Sequence, residues 1–233
     1  MNFKELKEKL ASIKSRGYIE TMRQGNTGVG YTLETLLEIE ENNDAGADID
    51  GDIELKAKRK GGSARVTGFC QNPIWLVKSR DIVKKYGWQD TLHMERANFY
   101  PSLRCESPSP QGLSLAIEGS SLYMKGERGE YLAEWPLEVM KFRFRQKHTK
   151  LALVLAERQK QRGSLEKFYY DEAYYCTGLS TDRVATLIKD GKIVVEPRMY
   201  LNRTTGKLRD RGVAIRLSDK WMMSLFDKVE RMV

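Results

Sequence analysis

The chain has 233 residues, of which 40% are hydrophobic and 31% charged, so it is long enough for one large domain or two closely packed lobes. Its net charge of +8 favours a polyanionic partner, although a basic surface without nucleic acid explains the charge equally well. Three scattered cysteines and two histidines disfavour a zinc site and a disulfide framework. Reduced thiols in a cytosol are the simplest account, and the sequence predicts neither a signal peptide nor a membrane span.

The N-terminal part predicts two helices and two strands. Apolar residues at helical spacing between Phe3 and Ile13 predict a helix that Gly17 ends. A polar, glycine-rich loop follows at residues 21–30. A second helix is predicted next, with leucines and acids on different faces. The leucines are Leu33, Leu36 and Leu37, and the acids are Glu34, Glu38 and Glu41. Residues 52–56 alternate like a strand, and residues 64–69 are expected to be its antiparallel neighbour across a basic turn at 58–62.

The middle of the chain, from about Ser79 to Phe144, gives weaker signals. Residues 113–117 and 121–125 predict a hairpin. Residues 141–147 alternate basic and aromatic side chains, which suits either a clamp on a nucleic-acid backbone or an edge strand with Phe142 and Phe144 in the core.

The C-terminal part predicts strands and helices in alternation. The apolar run 150–157 suits a strand buried on both faces, and residues 168–176 are expected to extend that sheet or pair with it. Residues 182–191 predict a helix with Thr181 near its N-cap, and 192–196 predict a strand. A basic stretch at 198–216 precedes a last helix from about Asp219. This order of elements indicates a mixed α/β domain.

The strand at 52–56 carries the most informative chemistry. Its alternation sends Ile53 and Leu55 to the core and Asp52, Glu54 and Lys56 to the opposite face. Together with Asp48 and Asp50 in the preceding turn, and with Glu34 on the upstream helix, these acids suit a hard cation. Such an ion activates water at a phosphodiester, and Lys56 could orient that water. The alternative is an exposed strand face with salt-bridged charges.

These residues resemble a known family. The Asp…Glu-x-Lys arrangement resembles the signature of PD-(D/E)XK nucleases. The segment from Gly25 to Glu34, with Leu36-Leu-Glu and Glu41-Asn-Asn after it, looks like the opening motif of MvaI/BcnI-type restriction endonucleases, which are similar to the repair nickase MutH. Residues 64–73, 151–157, 192–200 and 209–216 agree with that family.

The resemblance implies a fold and a chemistry. The expected fold is α/β: a restriction-endonuclease-like core with a mixed sheet flanked by helices, plus a DNA-recognition lobe. It would be a single domain over 1–233, with catalytic elements mainly in 20–75 and 150–176 and recognition elements mainly in 79–147 and 197–216. The implied catalytic set holds Mg²⁺, with Mn²⁺ able to replace it, through Glu34, Glu54 and either Asp48 or Asp50, while Lys56 acts on water. The family spacing for that Asp falls on Ile49 here, so Asp48 is only slightly preferred to Asp50.

The resemblance also implies DNA contacts. Cys70, Arg209 and Arg211 occupy positions where family members carry base-contacting histidines, and arginine can read guanine through its bidentate fork. The full set of expected DNA-contacting residues is Asn26, Thr27, Lys58, Arg59, Arg65, Cys70, Arg198, Arg203, Lys207, Arg209, Asp210, Arg211 and Arg216.

A type II restriction endonuclease acting on double-stranded DNA is the resulting expectation. It would be a monomer without membrane contact in the cytoplasm of a prokaryote or encoded by a phage, with a cognate DNA methyltransferase as genetic partner. One rival is a MutH-like nickase that needs a partner protein; another is a DNA-binding module without catalysis. His93 and His148 lack a partner pattern and are expected to be structural.

Overall fold

The computed structural model describes residues 1–39, 46–105 and 107–233; the Glu41–Asn43 part of the opening motif lies outside them. The helices are α1 (Phe3–Ser15), α2 (Gly28–Leu36), α3 (Ser79–Tyr86), α4 (Leu137–Lys147), α5 (Arg183–Lys189) and α6 (Asp219–Met223). The strands are β1 (Ile19–Glu20), β2 (Ile53–Arg59), β3 (Val66–Cys70), β4 (Ile74–Trp75), β5 (Trp88–Gln89), β6 (Arg96–Phe99), β7 (Ser114–Glu118), β8 (Ser121–Lys125), β9 (Tyr131–Pro136), β10 (Lys150–Gln159), β11 (Lys167–Leu179), β12 (Val194–Asn202), β13 (Leu208–Leu217) and β14 (Phe226–Arg231).

The chain folds into two compact units. The first unit consists of Met1–Val66, Phe144–Ser180 and Ser218–Val233, and the second unit consists of Thr67–Arg143 and Thr181–Leu217. No helix in the described parts of the chain is long and apolar enough to cross a membrane. The expected location of catalytic elements mainly in 20–75 and 150–176, and of recognition elements mainly in 79–147 and 197–216, stays a prediction.

The first unit is built on a mixed sheet. Its strands follow the order β1-β11-β10-β2, and β14 also pairs with β11. β10 runs parallel to β2 and antiparallel to β11, and residues 151–156 of β10 are all buried, as the apolar run predicted. The apolar sides of α1 and α2 pack with β2 and β10 in one core cluster, since burial of their leucines supplies the main stabilising free energy. The mixed sheet flanked by helices confirms the expected fold class.

Three predictions for the first unit need correction. The neighbour of β2 is β10, not residues 64–69, which lie mostly in β3 and join a sheet of the second unit. The glycine-rich loop is shorter than expected, because α2 already begins at Gly28. The predicted last helix is only the short α6, and it is followed by β14 at the sheet.

The second unit contains two sheets. One has the order β3-β13-β12-β6-β5 and the other has the order β4-β9-β8-β7. The hairpin β7–β8 is confirmed, and so is the helix α5, which the left-handed Gly191 follows.

The interpretation of residues 141–147 as an edge strand is wrong, because they form the second half of α4; their role as a clamp on a nucleic-acid backbone stays a prediction. Positions two apart on a helix lie on different sides. Phe144 is accordingly fully buried, whereas Phe142 is 56% exposed.

Candidate active site

Glu54 is a buried carboxylate on β2. Its neighbours Ile53 and Leu55 belong to the core cluster of the first unit, and alternation along the strand turns Glu54 to the other face. Glu54 is 0% exposed, which disagrees with the alternative interpretation of this face as an exposed, salt-bridged strand surface. Its Oε1 pairs with the Lys56 ammonium, and the Nζ of Lys147 lies 3.5 Å from the same oxygen. The other oxygen, Oε2, accepts no hydrogen bond from any described residue.

The environment of Glu54 changes its acidity. Burial raises its pKa to about 7; the charge of Lys56 opposes this rise, and the nearby carboxylate of Asp48 adds to it. A buried carboxylate is costly to ionise unless cations surround it. Two lysines compensate Glu54 only partly, so the site can accommodate further positive charge.

The acids in and just after the turn before β2 have different surroundings. Asp48 accepts a hydrogen bond at 2.9 Å from the Leu55 backbone amide, which fixes it beside Glu54. Asp50 is 70% exposed in a left-handed turn conformation, and it binds the Met1 amino group at 2.5 Å. Asp52 is half exposed and pairs with Lys150. Of the three acids, Asp48 is the one whose charge raises the pKa of Glu54, whereas Asp50 and Asp52 pair with other cations.

The predicted loop and helix residues lie on the Lys56 side of the site. Lys56 and Glu34 line the same shallow depression of about 240 Å³, together with Asn26 and Thr27. Asn26, Thr27 and Glu34 belong to the opening motif and Lys56 to the following strand, and the fold brings the two segments together. Within the described residues, no group of three or more Asp, Glu, His or Cys side chains converges as a closed metal site.

Lys147 is the site residue that sequence reasoning missed. It ends α4 and reaches Glu54 on β2, although 93 residues separate the two positions in the sequence. The sequence near Lys147 offers only the alternation of basic and aromatic residues at 141–147, which suits an edge strand or a clamp on a nucleic-acid backbone. His148 follows it and is fully buried, with its ring 5.9 Å from that of Phe144, which is consistent with a structural role.

The expected basic turn at 58–62 begins later than predicted, because Lys58 and Arg59 still belong to β2 and the turn starts at Lys60. Its cations contact acids of the protein. Lys58 pairs with Asp219 at 2.8 Å. Arg59 binds both carboxylate oxygens of Glu166 and donates to the backbone carbonyls of Gly25 and Asn26. These contacts give Arg59 a supporting role under the glycine-rich loop. Arg65, just before β3, is partly buried.

The basic stretch 198–216 forms a hairpin of β12 and β13 in the second unit, which we call the recognition hairpin. Its exposed charged residues are Arg203, Lys207, Arg209, Asp210 and Arg211. Arg216, in contrast, is partly buried and pairs with Glu196 at 2.8 Å.

A β-bulge shapes the recognition hairpin, because Arg198 alone faces the two residues Arg211 and Gly212. Arg198 donates to the carbonyls of both, at 2.7 and 3.3 Å, and its Nη2 lies 3.1 Å from the Cys70 sulfur. The Asp210 carboxylate accepts from the Gly212 amide at 2.7 Å, and Gly212 has a φ of 79°. Arg198, Asp210 and Cys70 thus hold the backbone that carries Arg209 and Arg211.

Comparison with known proteins now identifies the chain. The profile of the MvaI/BcnI restriction endonuclease family matches residues 7–226. The chain belongs to this family. Two solved structures share its fold: "Restriction endonuclease MvaI-cognate DNA substrate complex", with a TM-score of 0.82 at 23% identity over the whole of both chains, and "Restriction endonuclease MvaI in the absence of DNA", with a TM-score of 0.57 at 22% identity over 100% of this chain and 99% of the other. A comparison with curated protein sequences gives no match.

Family membership settles the class of activity. The chain is a sequence-specific type II restriction endonuclease, a hydrolase of DNA. Enzymes of this family generally use a divalent metal ion.

The raised pKa of Glu54 predicts a pH-dependent stability in metal-free protein. Because the folded-state pKa, about 7, lies above the ordinary value of 4.5, the stability contributed by protonated Glu54 is complete below about pH 4.5 and is lost as pH rises through 7. Glu54→Gln stays neutral, so with a chelator present it should be more stable than the wild type at pH 8, by up to about 3 kcal/mol. The difference should shrink as pH falls and disappear below about pH 4.5 in denaturant titrations.

The exposed Glu8 supplies a control for this experiment. Glu8→Gln should keep the wild-type dependence of stability on pH. If Glu54→Gln also kept it, burial would not disfavour the ionised Glu54.

Proposed function

We propose that the enzyme hydrolyses phosphodiester bonds of double-stranded DNA with Mg²⁺ held by Asp48 and Glu54, while Lys56 acts on the attacking water. The observation that carries this assignment is the buried Glu54 Oε2, which lacks a hydrogen bond from any described residue although Asp48 lies nearby. A carboxylate pair that raises the pKa of one member is stabilised by a cation. The unsatisfied oxygen supplies a ligand atom for that cation.

The residues present fit Mg²⁺ better than a softer metal. Both donors are carboxylates, which are oxygen ligands, and Mg²⁺ commonly binds through one or two carboxylates while water and substrate phosphate complete its shell. An open set of two donors is therefore sufficient, and Mn²⁺ accepts the same ligands. When bound, the ion would polarise the scissile phosphate and lower the pKa of a coordinated water. Glu34 is our proposed additional ligand from the Lys56 side.

The two lysines have separable tasks. Lys56 pairs with Glu54 and also lines the open depression beside Glu34, so its ammonium can orient a water for attack and stabilise charge on the phosphoryl oxygens. Lys147 contacts Glu54 from α4 and balances the buried charge. We assign Lys147 as a positioning residue that keeps Glu54 in place.

DNA recognition is proposed to rest on the second unit. Arg209 and Arg211 are exposed next to a bulge that fixes their backbone, and such bulges aim side chains. Each guanidinium can form the bidentate contact that reads a guanine edge. Arg203 and Lys207 at the hairpin end suit phosphates. On the first unit, Asn26 and Thr27 border the depression that contains Lys56, where they can contact the cleaved strand.

The biological setting is likewise proposed. We expect a monomer that cuts one strand and then the other, as the family resemblance implies. It would work in the cytoplasm of a prokaryote or phage-infected cell beside a cognate methyltransferase. Its three free cysteines suit a reducing compartment.

Replacement of the two competing turn acids tests the metal assignment. Asp48→Asn should reduce the rate of Mg²⁺-dependent cleavage of unmethylated phage DNA at least about a hundredfold, because it removes a charged ligand. Asp50→Asn should cut at close to the wild-type rate, since Asp50 binds the exposed N-terminus. Lys56→Ala, measured in parallel, should also abolish discrete fragments. Loss of cleavage with Asp50→Asn and its retention with Asp48→Asn would reverse the assignment.

Specificity should depend on the recognition hairpin. Arg209→Ala or Arg211→Ala should each weaken metal-free binding to the cognate site by about 1–3 kcal/mol and relax selectivity at one base pair. Arg203→Ala should weaken binding to all sequences alike, as a phosphate contact does. Once the cut ends have been sequenced, competition binding with single-base variants of the site distinguishes these patterns. Equal weakening on every sequence would show that Arg209 and Arg211 contact only the backbone.

A further inference from the structure

The tip of the β10–β11 hairpin in the first unit is a loop that is held by internal hydrogen bonds and carries exposed cations. Residues 160–166 connect the strands after the last paired position, Gln159 with Lys167. Within the loop, Gln161 and Ser164 exchange three hydrogen bonds: Ser164 N and Oγ donate to the Gln161 carbonyl at 3.2 and 2.9 Å, and Gln161 N donates to Ser164 Oγ at 3.2 Å. The side chains of Lys160 and Arg162 are thereby held on an ordered backbone.

The surface of this loop is lined by cations and one amide. An open depression of about 530 Å³ has Arg158, Lys160, Gln161 and Arg162 as its lining residues. All four are exposed, and none of the described residues that line this depression is an acid. The nearby Glu166 pairs with Arg158 at 2.6 Å and binds Arg59, and these contacts lower its pKa. Glu166 thus partly compensates the charges of Arg59, Arg158 and Lys160, whereas Arg162 lies further along the loop.

A continuous surface connects this depression to the active site within the first unit. Lys160 also lines a second depression, of about 130 Å³, together with Gln24 and Gly25 of the glycine-rich loop. The same loop continues to Asn26 and Thr27, which border the depression containing Lys56. Arg59 fixes the loop by donating to its Gly25 and Asn26 carbonyls.

The strand register gives the distance along this surface. Lys56 lies opposite Leu153 in the β2–β10 pair, and the seven residues from there to Lys160 cover about 23 Å of strand. That length equals the rise of about seven nucleotides along one DNA strand. A duplex with its scissile phosphate at Lys56 and its axis along β10 would present a phosphate to the loop well outside a short recognition sequence.

We propose that this loop, called here the flanking-DNA loop, binds backbone phosphates of the duplex about seven base pairs from the cleaved bond. This rests on the proposed function, because Lys56 marks the cleaved bond. Phosphate is the chemistry that Lys160, Arg162 and the Gln161 amide suit, since ammonium, guanidinium and amide N–H groups all donate to anionic oxygens. The contact carries no sequence information and extends the bound length of DNA.

The test compares two double variants in metal-free DNA binding at several salt concentrations. Lys160→Ala/Arg162→Ala removes the loop cations but leaves Arg158 and the Glu166 contacts in place. Lys4→Ala/Lys7→Ala removes two exposed cations from α1 of the same unit and serves as the control for net charge. On a duplex of about 30 base pairs, the loop variant should bind about tenfold more weakly, and its salt dependence should fall by nearly two in slope. The control should match the wild type.

A short duplex makes the test specific. On a duplex of about 8 base pairs centred on the cut site, which ends before the loop, the loop variant and the wild type should bind equally. Equal binding on both duplexes, with an unchanged salt slope, would overturn the proposal. Failure of the wild type to bind any duplex would contradict the proposed function instead, so the two failures differ. Both variants should keep the wild-type midpoint of thermal unfolding, because the replaced residues are exposed.

Discussion

Burial of the Glu54 carboxylate is the constraint on which the site depends. A carboxylate without solvent is stabilised only by hydrogen bonds or opposite charge, and here Lys56 from β2 and Lys147 from α4 provide that charge at one oxygen. The parallel β2–β10 pair, the end of α4 and the turn that holds Asp48 must all be in place for this arrangement. The Oε2 atom of Glu54 has no hydrogen-bond partner among the described residues, so it is available to bind a cation. The fold therefore determines the chemistry of the site through the position of the Glu54 side chain.

The faces of β2 could be predicted from the sequence, but the burial of Glu54 on its charged face could not. Period-two alternation places Glu54 and Lys56 together opposite Ile53 and Leu55, as found. What covers Glu54 is Lys147, which lies far along the chain, and local periodicity carries no information about such a contact. The parallel partner of β2 was missed for the same reason, since residues 64–69 offered an apparent neighbour closer in sequence. Residues 141–147 show a further limit: alternate basic and aromatic residues suit a strand, but burial of Phe144 within α4 decides the outcome.

The residues proposed to contact DNA could likewise be predicted only in part from the sequence. The charge density of residues 198–216 predicted a binding element, whereas the bulge that separates exposed Arg209 and Arg211 from the supporting Arg198 appears only in the strand register. Arg59 was predicted to contact DNA, and the structure shows it bound to Glu166 beneath the glycine-rich loop. Conversely, Lys160 and Arg162 carry no motif. Their importance in our account follows from their position on a surface that leads from Lys56.

We expect Asp48 and Glu54 to bind the same catalytic cation, and crystallography with Mn²⁺ would locate that cation. Crystals of the enzyme with uncut duplex and Mn²⁺, measured at the manganese absorption edge, would locate the ion by its anomalous scattering. Our account predicts a peak within about 2.3 Å of a Glu54 oxygen and an Asp48 oxygen. A peak at Asp50 or Asp52, with Glu54 still paired only to its lysines, would contradict it.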